Sequence, residues 1–265
     1  MSQNNYADLP LLALKSDLFS MEYPVFALDG KSKDPFSTEH KGVSIQITPS
    51  VLGRATVKDK EIIIFCLSRI MLLRNSGFEV SDTITFNGYE FLTAMGRNTS
   101  GKEYMQLETA LRRLAGTRIT TNYKIKNRRI LEDVGLIQSF TSELDGREKL
   151  FSVTLADWLI DCTQTSYILT LNRHYHLLTK PFERRVYELC KKFCGAKHTF
   201  SISLDNVGKR LGLKGTNALL KRRLSALSHV LDYRIEVDNH LLRVFRDTKV
   251  GNQQLDSFKQ NQLGK

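Results

Sequence analysis

One order of chain signals occurs twice in this sequence, and that repeat limits the fold more than any single motif does. In the first copy, DKEIIIFCLSRIMLLRN (Asp59 to Asn75) opens on an aspartate placed to cap a helix, is apolar on most sides and stops before Gly77, so it reads as a buried helix. A short strand follows over Asp82 to Asn87, then a short helix over Gly88 to Gly96, a polar turn, and a longer helix over Lys102 to Gly116. Strand-forming stretches come next, from TRITTNYKI through EKLFSVTL. The second copy begins with PFERRVYELCKKFCG (Pro181 to Gly195), a helix with proline at its start and glycine at its end. TFSISL is its strand, Asp205 to Leu213 its short helix, Asn217 to Leu231 its longer helix, and YRIEV with HLLRVFR its hairpin around Asp238 and Asn239.

Two helices joined by a turn and followed by a hairpin form a winged helix. The expected fold class is therefore α+β, mainly α, with two tandem winged-helix domains. Residues 1 to 15 read as a flexible arm, 16 to 165 as the first domain, 166 to 248 as the second and 249 to 265 as a flexible tail. A chain of 265 residues, 41% hydrophobic, is long enough for two cores.

Charge separates the copies. Residues 1 to 170 contain 20 Lys+Arg and 20 Asp+Glu, whereas residues 171 to 250 contain 17 Lys+Arg and 7 Asp+Glu. Positive charge gathered this way favours a polyanion, because each neutralised phosphate releases a condensed counterion. Nucleic acid is the expected partner. No uncharged apolar run is long enough to span a bilayer, so no membrane partner is expected. Cys66, Cys162, Cys190 and Cys194 form no CxxC pair, which fits a reducing cytoplasm, and the N-terminus lacks the pattern of a signal peptide.

The helix from Asn217 to Leu231 offers the clearest reading face. Leu220, Leu224, Leu227 and Leu231 share one inward stripe at 100° per residue, with Leu219, Ala226 and Val230 beside it, and Asn217, Lys221, Arg222, Ser225 and Ser228 lie opposite. Lysine and arginine reach guanine or phosphate, asparagine bonds adenine, and short side chains permit close approach. Lys209, Arg210, Lys214 and Thr216, on the preceding helix and turn, would bracket the same groove, and Arg243 would extend the contact from the hairpin. Arg223 falls in the apolar arc. In the first copy Tyr104, Leu107, Leu111 and Leu114 form the buried stripe. Lys102, Gln106, Thr109 and Arg113 lie opposite it, flanked by Arg97 and Asn98, as a weaker second face.

Several stretches carry a more specific likeness. LPLLALKSDLFSMEYPVFAL, PSVLGRATVKDKEIIIF, TSGKEYMQLETALRRLAGTRITTN, FSVTLADWL and PFERRVYELCKKFCG, in this order, resemble the replication initiator protein A family of bacterial plasmids over about residues 9 to 232. Its most specific pieces are Met21 to Pro24, Ser100 to Asn122, and the helix bearing Glu183, Arg184, Arg185, Tyr187, Glu188 and Leu189. The resemblance implies binding of iterons at a plasmid origin, duplex opening, and recruitment of the host initiator and replicative helicase. It also implies dimerisation through the first domain. A repressor of its own promoter would use the same binding faces.

An enzymatic alternative starts from His174-Tyr175-His176 followed by Tyr187, which imitates the metal site and nucleophilic tyrosine of a rolling-circle nickase. His176 and Tyr187 are only eleven positions apart, and no third ligand is evident. Cys190, Cys194 and His198 give three zinc-type ligands without a fourth, and no glycine-rich phosphate loop is present. The expectation is a DNA-binding protein without catalytic residues, metal or cofactor.

Overall fold

The computed structural model describes residues 13 to 30, 33 to 125, 128 to 129, 133 to 213 and 215 to 263. It contains mixed α and β structure in two units. The first comprises Met1–Ser20 and Val25–Leu177; the second comprises Met21–Pro24 and Leu178–Lys265. The chain therefore enters the second unit for four residues before it builds most of the first.

In the first unit, strand β1 (Lys15–Asp17) leads into α1 (Leu18–Glu22), whose end passes into the second unit. Strands β2 (Phe36–His40) and β3 (Val43–Thr48) form a hairpin, and α2 (Lys60–Asn75) follows. Helix α2 is apolar around its circumference because it is enclosed: every residue from Lys60 to Ile70 is buried. Phe65 on this helix lies 5.1 Å from Phe86 and 5.4 Å from Phe91, both edge to face, and Phe86 stacks on Phe151 at 5.8 Å. These rings join α2 to β4 (Thr83–Asn87) and α3 (Gly88–Ala94), where Asn87 caps the helix by accepting from the Tyr89 amide. After a turn at Gly96, with φ of +64°, comes α4 (Gly101–Gly116). Its buried stripe is Leu107, Ala110, Leu111 and Leu114; Tyr104, expected there, is only half-buried.

The strands after α4 depart from a simple hairpin. Strand β5 (Arg118–Thr121) pairs with β3, and β8 (Val134–Gly135) pairs with β5, giving a four-stranded sheet in the order β2-β3-β5-β8. Between them, β6 (Lys124–Ile125) pairs with β7 (Arg128–Arg129). The hairpin proper is β9 (Ile137–Asp145) with β10 (Glu148–Leu155), and β10 also pairs with β4. Helix α5 (Asp157–Thr163) and β11 (Ile168–Thr170) complete the unit, β11 pairing with β1. Thus Lys15, expected in the arm, lies in a sheet, and residues expected to open the second domain belong to the first unit. The inserted sheet also makes the protein less predominantly α than expected.

The second unit uses the same connectivity in shorter form. Helix α6 (Pro181–Cys194) ends at Gly195, with φ of +54°; β12 (Thr199–Ser203) and α7 (Leu204–Leu211) follow, Ser203 capping α7. Gly212 stops α7 in the left-handed conformation. Helix α8 (Asn217–Ser225) is capped by Thr216, whose hydroxyl accepts from the Leu219 amide. The remaining strands are β13 (His229–Val230), β14 (Tyr233–Asp238) and β15 (Leu241–Arg246), in a sheet ordered β12-β15-β14-β13. In both units the strand ahead of the helix pair bonds to the second strand of the hairpin behind it, β4 to β10 and β12 to β15. Helix α8 is shorter than its leucine spacing suggests. It ends at Ser225, Leu227 lies in the following turn, and β-branched Val230 pairs with Tyr233 across a tight reversal that holds Leu231 at φ of +46°.

Of residues 249 to 265, expected to be a flexible tail, Lys249–Leu263 instead form α9, and the last two lie outside the described residues. Leu255 is buried, Phe258 lies 5.9 Å from Phe245, and Lys259 pairs with Glu236 at 2.9 Å, so α9 covers the outer side of β14 and β15. Its first turn fits closely: a Cβ on Gly251 would stand 2.0 Å from the Arg246 carbonyl oxygen. Gly251→Ala is expected to cost about 1–3 kcal/mol of stability by overpacking. A urea titration followed by circular dichroism checks it, and an unchanged midpoint would show that α9 contributes little to this unit.

The core of the second unit explains two of the three most specific sequence pieces, Met21 to Pro24 and the helix bearing Arg185. The Arg185 guanidinium donates to the carbonyls of Met21 (3.3 Å), Tyr23 (3.2 Å) and Arg210 (3.0 Å) and pairs with Glu188. Arg185 and Glu188 are 1% and 0% exposed. Glu22 pairs with Arg210 at 2.7 Å and with Lys192 at 3.1 Å. Burial, with Glu22 adding to it, pushes the Tyr23 hydroxyl up to about 12. The Met21–Pro24 segment is thus a strap bound to α6 and α7.

Candidate nucleic-acid interface

Helix α8 is fixed to the second unit by Leu220 and Leu224, which are 5% and 0% exposed. On its inner flank, the Arg223 guanidinium lies 3.9 Å from the Phe182 ring centre, which accounts for a cation in the apolar arc. Relative to those anchors the outward direction runs through Ala218, Arg222 and Ser225, with Lys221 and Leu219 on either side, all exposed. Asn217, expected opposite the leucine stripe, is exposed but falls beside Leu224 around the helix, away from this face, and donates its side-chain amide to Asp205. Thr216, the cap, is exposed. Lys209 is exposed near the end of α7, and Lys214 lies outside the described residues. Among the described residues Lys209, Lys221 and Arg222 have no carboxylate partner. Ala218 carries no polar group to mark it in the sequence, and Leu219, expected beside the inward stripe, is instead exposed; the shift of the outward arc toward them follows from which leucines are buried.

Two expected contacts in this unit are corrected. Arg210 is 5% exposed, paired with Glu22 and 4.5 Å from the Phe193 ring centre, so it is part of the core. Arg243 hydrogen-bonds Asp238 at 3.3 Å and lies 4.8 Å from the Phe258 ring centre, held by its own hairpin and α9.

The weaker face on α4 is largely absorbed by the first unit. Arg113 forms a two-pronged pair with Asp59, at 2.7 and 2.6 Å, and this bond holds its proton more firmly than usual against the opposing effect of burial. Arg97, 9% exposed, bonds Glu103 at 2.7 Å and lies 3.5 Å from Glu61. Gln106 accepts from Lys58 at 3.0 Å, and the Thr109 hydroxyl bonds the Met105 carbonyl. Asn98 and Lys102 remain exposed. Arg97 and Arg113, expected to meet phosphate, instead hold α4 and the turn before it to the start of α2.

That arrangement has a pH signature. Burial opposes the charged form of Glu103, but the hydrogen bond and charge of Arg97, with Lys58 and Lys102, outweigh it and hold the carboxyl below the usual glutamate range. The unfolded chain therefore takes up this proton first as pH falls. The stabilisation is full above the ordinary glutamate pKa and disappears as pH drops through the depressed folded value. Glu103→Gln is expected to flatten the acid limb of stability, measured by urea midpoints at stepped pH. Parallel limbs for the two proteins would contradict it.

The residues of the nickase alternative fall in different units. Tyr187 is 0% exposed, 6.0 Å from Tyr233 in the second unit, whereas His174, Tyr175 and His176 belong to the first. Among the described residues no group of three or more His, Cys, Asp or Glu is placed to hold a metal. Cys190 and Cys194 are buried, with both thiol pKa values raised chiefly by burial, and His198 is exposed. Among the described residues no helix is long and apolar enough to cross a membrane.

The sequence profile of the family described as Replication initiator protein A matches residues 15–232. The chain belongs to the replication initiator protein A family. A chain of Wigglesworthia glossinidia brevipalpis named "Putative replication protein" is 32% identical over 241 residues, covering 86% of each sequence. The crystal structure of domains 2 and 3 of RctB is similar in fold, with a TM-score of 0.54 at 12% identity, over 85% of this chain and 96% of that one. The replication initiator match ends at residue 232, so it includes α8 and the strap but not β14, β15 or α9.

Proposed function

We propose that this replication initiator binds repeated sites in duplex DNA at a plasmid origin, with α8 as the groove-entering helix of a winged-helix domain. The first unit, read as a second winged helix, adds contacts through Asn98 and Lys102 and supplies the surface on which two copies dimerise. Bound protein would then promote duplex opening and recruit the host initiator and replicative helicase, with no catalytic residue and no cofactor of its own. The observation that carries this reading is the outer face of α8, where Lys221 and Arg222 are exposed between short side chains, without carboxylate partners among the described residues. The helix-turn-helix and hairpin order of both units, together with family membership, supports it.

The decisive experiment supplies the protein from a second replicon to a plasmid carrying its candidate origin. Maintenance that requires the protein, and that fails with Lys221→Ala/Arg222→Ala, is the expected result. Binding without any effect on maintenance would favour a transcriptional repressor using the same face.

A further inference from the structure

We infer that Leu219 reads the 5-methyl group of a thymine in the major groove, an assignment that rests on the DNA-binding reading of α8. Leu219 is 46% exposed, whereas Leu220 and Leu224 on the same helix are 5% and 0% exposed. A single surface leucine is unremarked in most settings. This one belongs to a face whose other exposed members are Ala218, Lys221, Arg222 and Ser225.

Three features point to the occupant. Leu219 sits in the first turn of α8, and its amide is held by the Thr216 cap, so its position is set by a fixed helix start. The N-terminal residues of a groove-entering helix are those that meet base edges. Its neighbour Ala218 is small, which allows the backbone to approach. Finally, the base edges of the major groove display one apolar group, the thymine methyl, so an apolar side chain among cations has a single base to recognise there. A second copy of the chain fits less well: a symmetric contact through this face would bring Lys221 and Arg222 against their own counterparts.

The test begins with selection of bound duplexes from a random-sequence pool by the full-length protein. One thymine position is expected to lose its preference when Leu219→Ala is used. Replacing that thymine by uracil should weaken wild-type binding about three- to five-fold, as removal of one buried methyl implies, and leave Leu219→Ala unaffected. An equal uracil penalty for both proteins, or none for wild type, overturns the assignment while the DNA-binding reading stands. A Leu219→Ala protein that changes from dimer to monomer in sedimentation, with thymine preference intact, also overturns it in favour of self-association. If wild-type protein enriches no sequence, the DNA-binding reading itself fails.

Discussion

Replacing Lys221 and Arg222 together by alanine is expected to relax sequence preference and remove most of the affinity for origin DNA while leaving the fold intact. Both side chains are exposed and lack carboxylate partners among the described residues, so their removal strands no buried charge. An arginine on a base edge contributes about 1–3 kcal/mol of discrimination, and a lysine on phosphate lowers the salt slope of binding by about one. The combined loss is therefore about ten- to several-hundred-fold at physiological salt, with a shallower dependence on salt concentration. Fluorescence anisotropy at three salt concentrations, alongside a urea titration, measures both. An unchanged footprint on origin DNA would move the interface away from α8.

The largest effect on stability is expected from Arg185→Ala. Arg185 and Glu188 form a buried pair, and removing one member leaves a charge in the interior, at a cost of about 3–5 kcal/mol. The loss extends to the carbonyls of Met21, Tyr23 and Arg210, which accept from the same guanidinium. Urea unfolding should show a transition at much lower denaturant, and a double variant, Arg185→Met with Glu188→Leu, should recover part of the difference. A single variant as stable as wild type would mean that the strap is held mainly by Glu22 with Arg210 and Lys192.

What the sequence makes legible is local. Pro181 and Gly195 bound α6 as their backbone preferences require, and Leu220 and Leu224 face inward as the helical period demands. The end of α8 was obscured because Leu227 and Leu231 keep that period beyond Ser225, although they serve a turn and a strand reversal. The exposure of candidate site residues was legible where it depends on the helix alone, as at Lys221 and Arg222. It was illegible where a distant carboxylate decides: Arg210 meets Glu22 across 188 positions, and Arg113 meets Asp59 across 54. No spacing rule connects such partners. The sheet formed by β2, β3, β5 and β8 was missed for a related reason, because β5 follows α4 directly yet pairs with β3, which lies before α2.

The early strap also sets an order of events during synthesis. Met21 to Pro24 leave the ribosome long before Arg185, which is 164 residues further along from Met21. At about 5–20 residues per second, that gap lasts roughly 10–30 s. For that interval the four residues wait without their destination, and the C-terminal unit cannot complete its interior from its own stretch of chain. A fragment starting at Leu178 would lack four residues of its own core, and supplying them as a separate peptide should restore its stability.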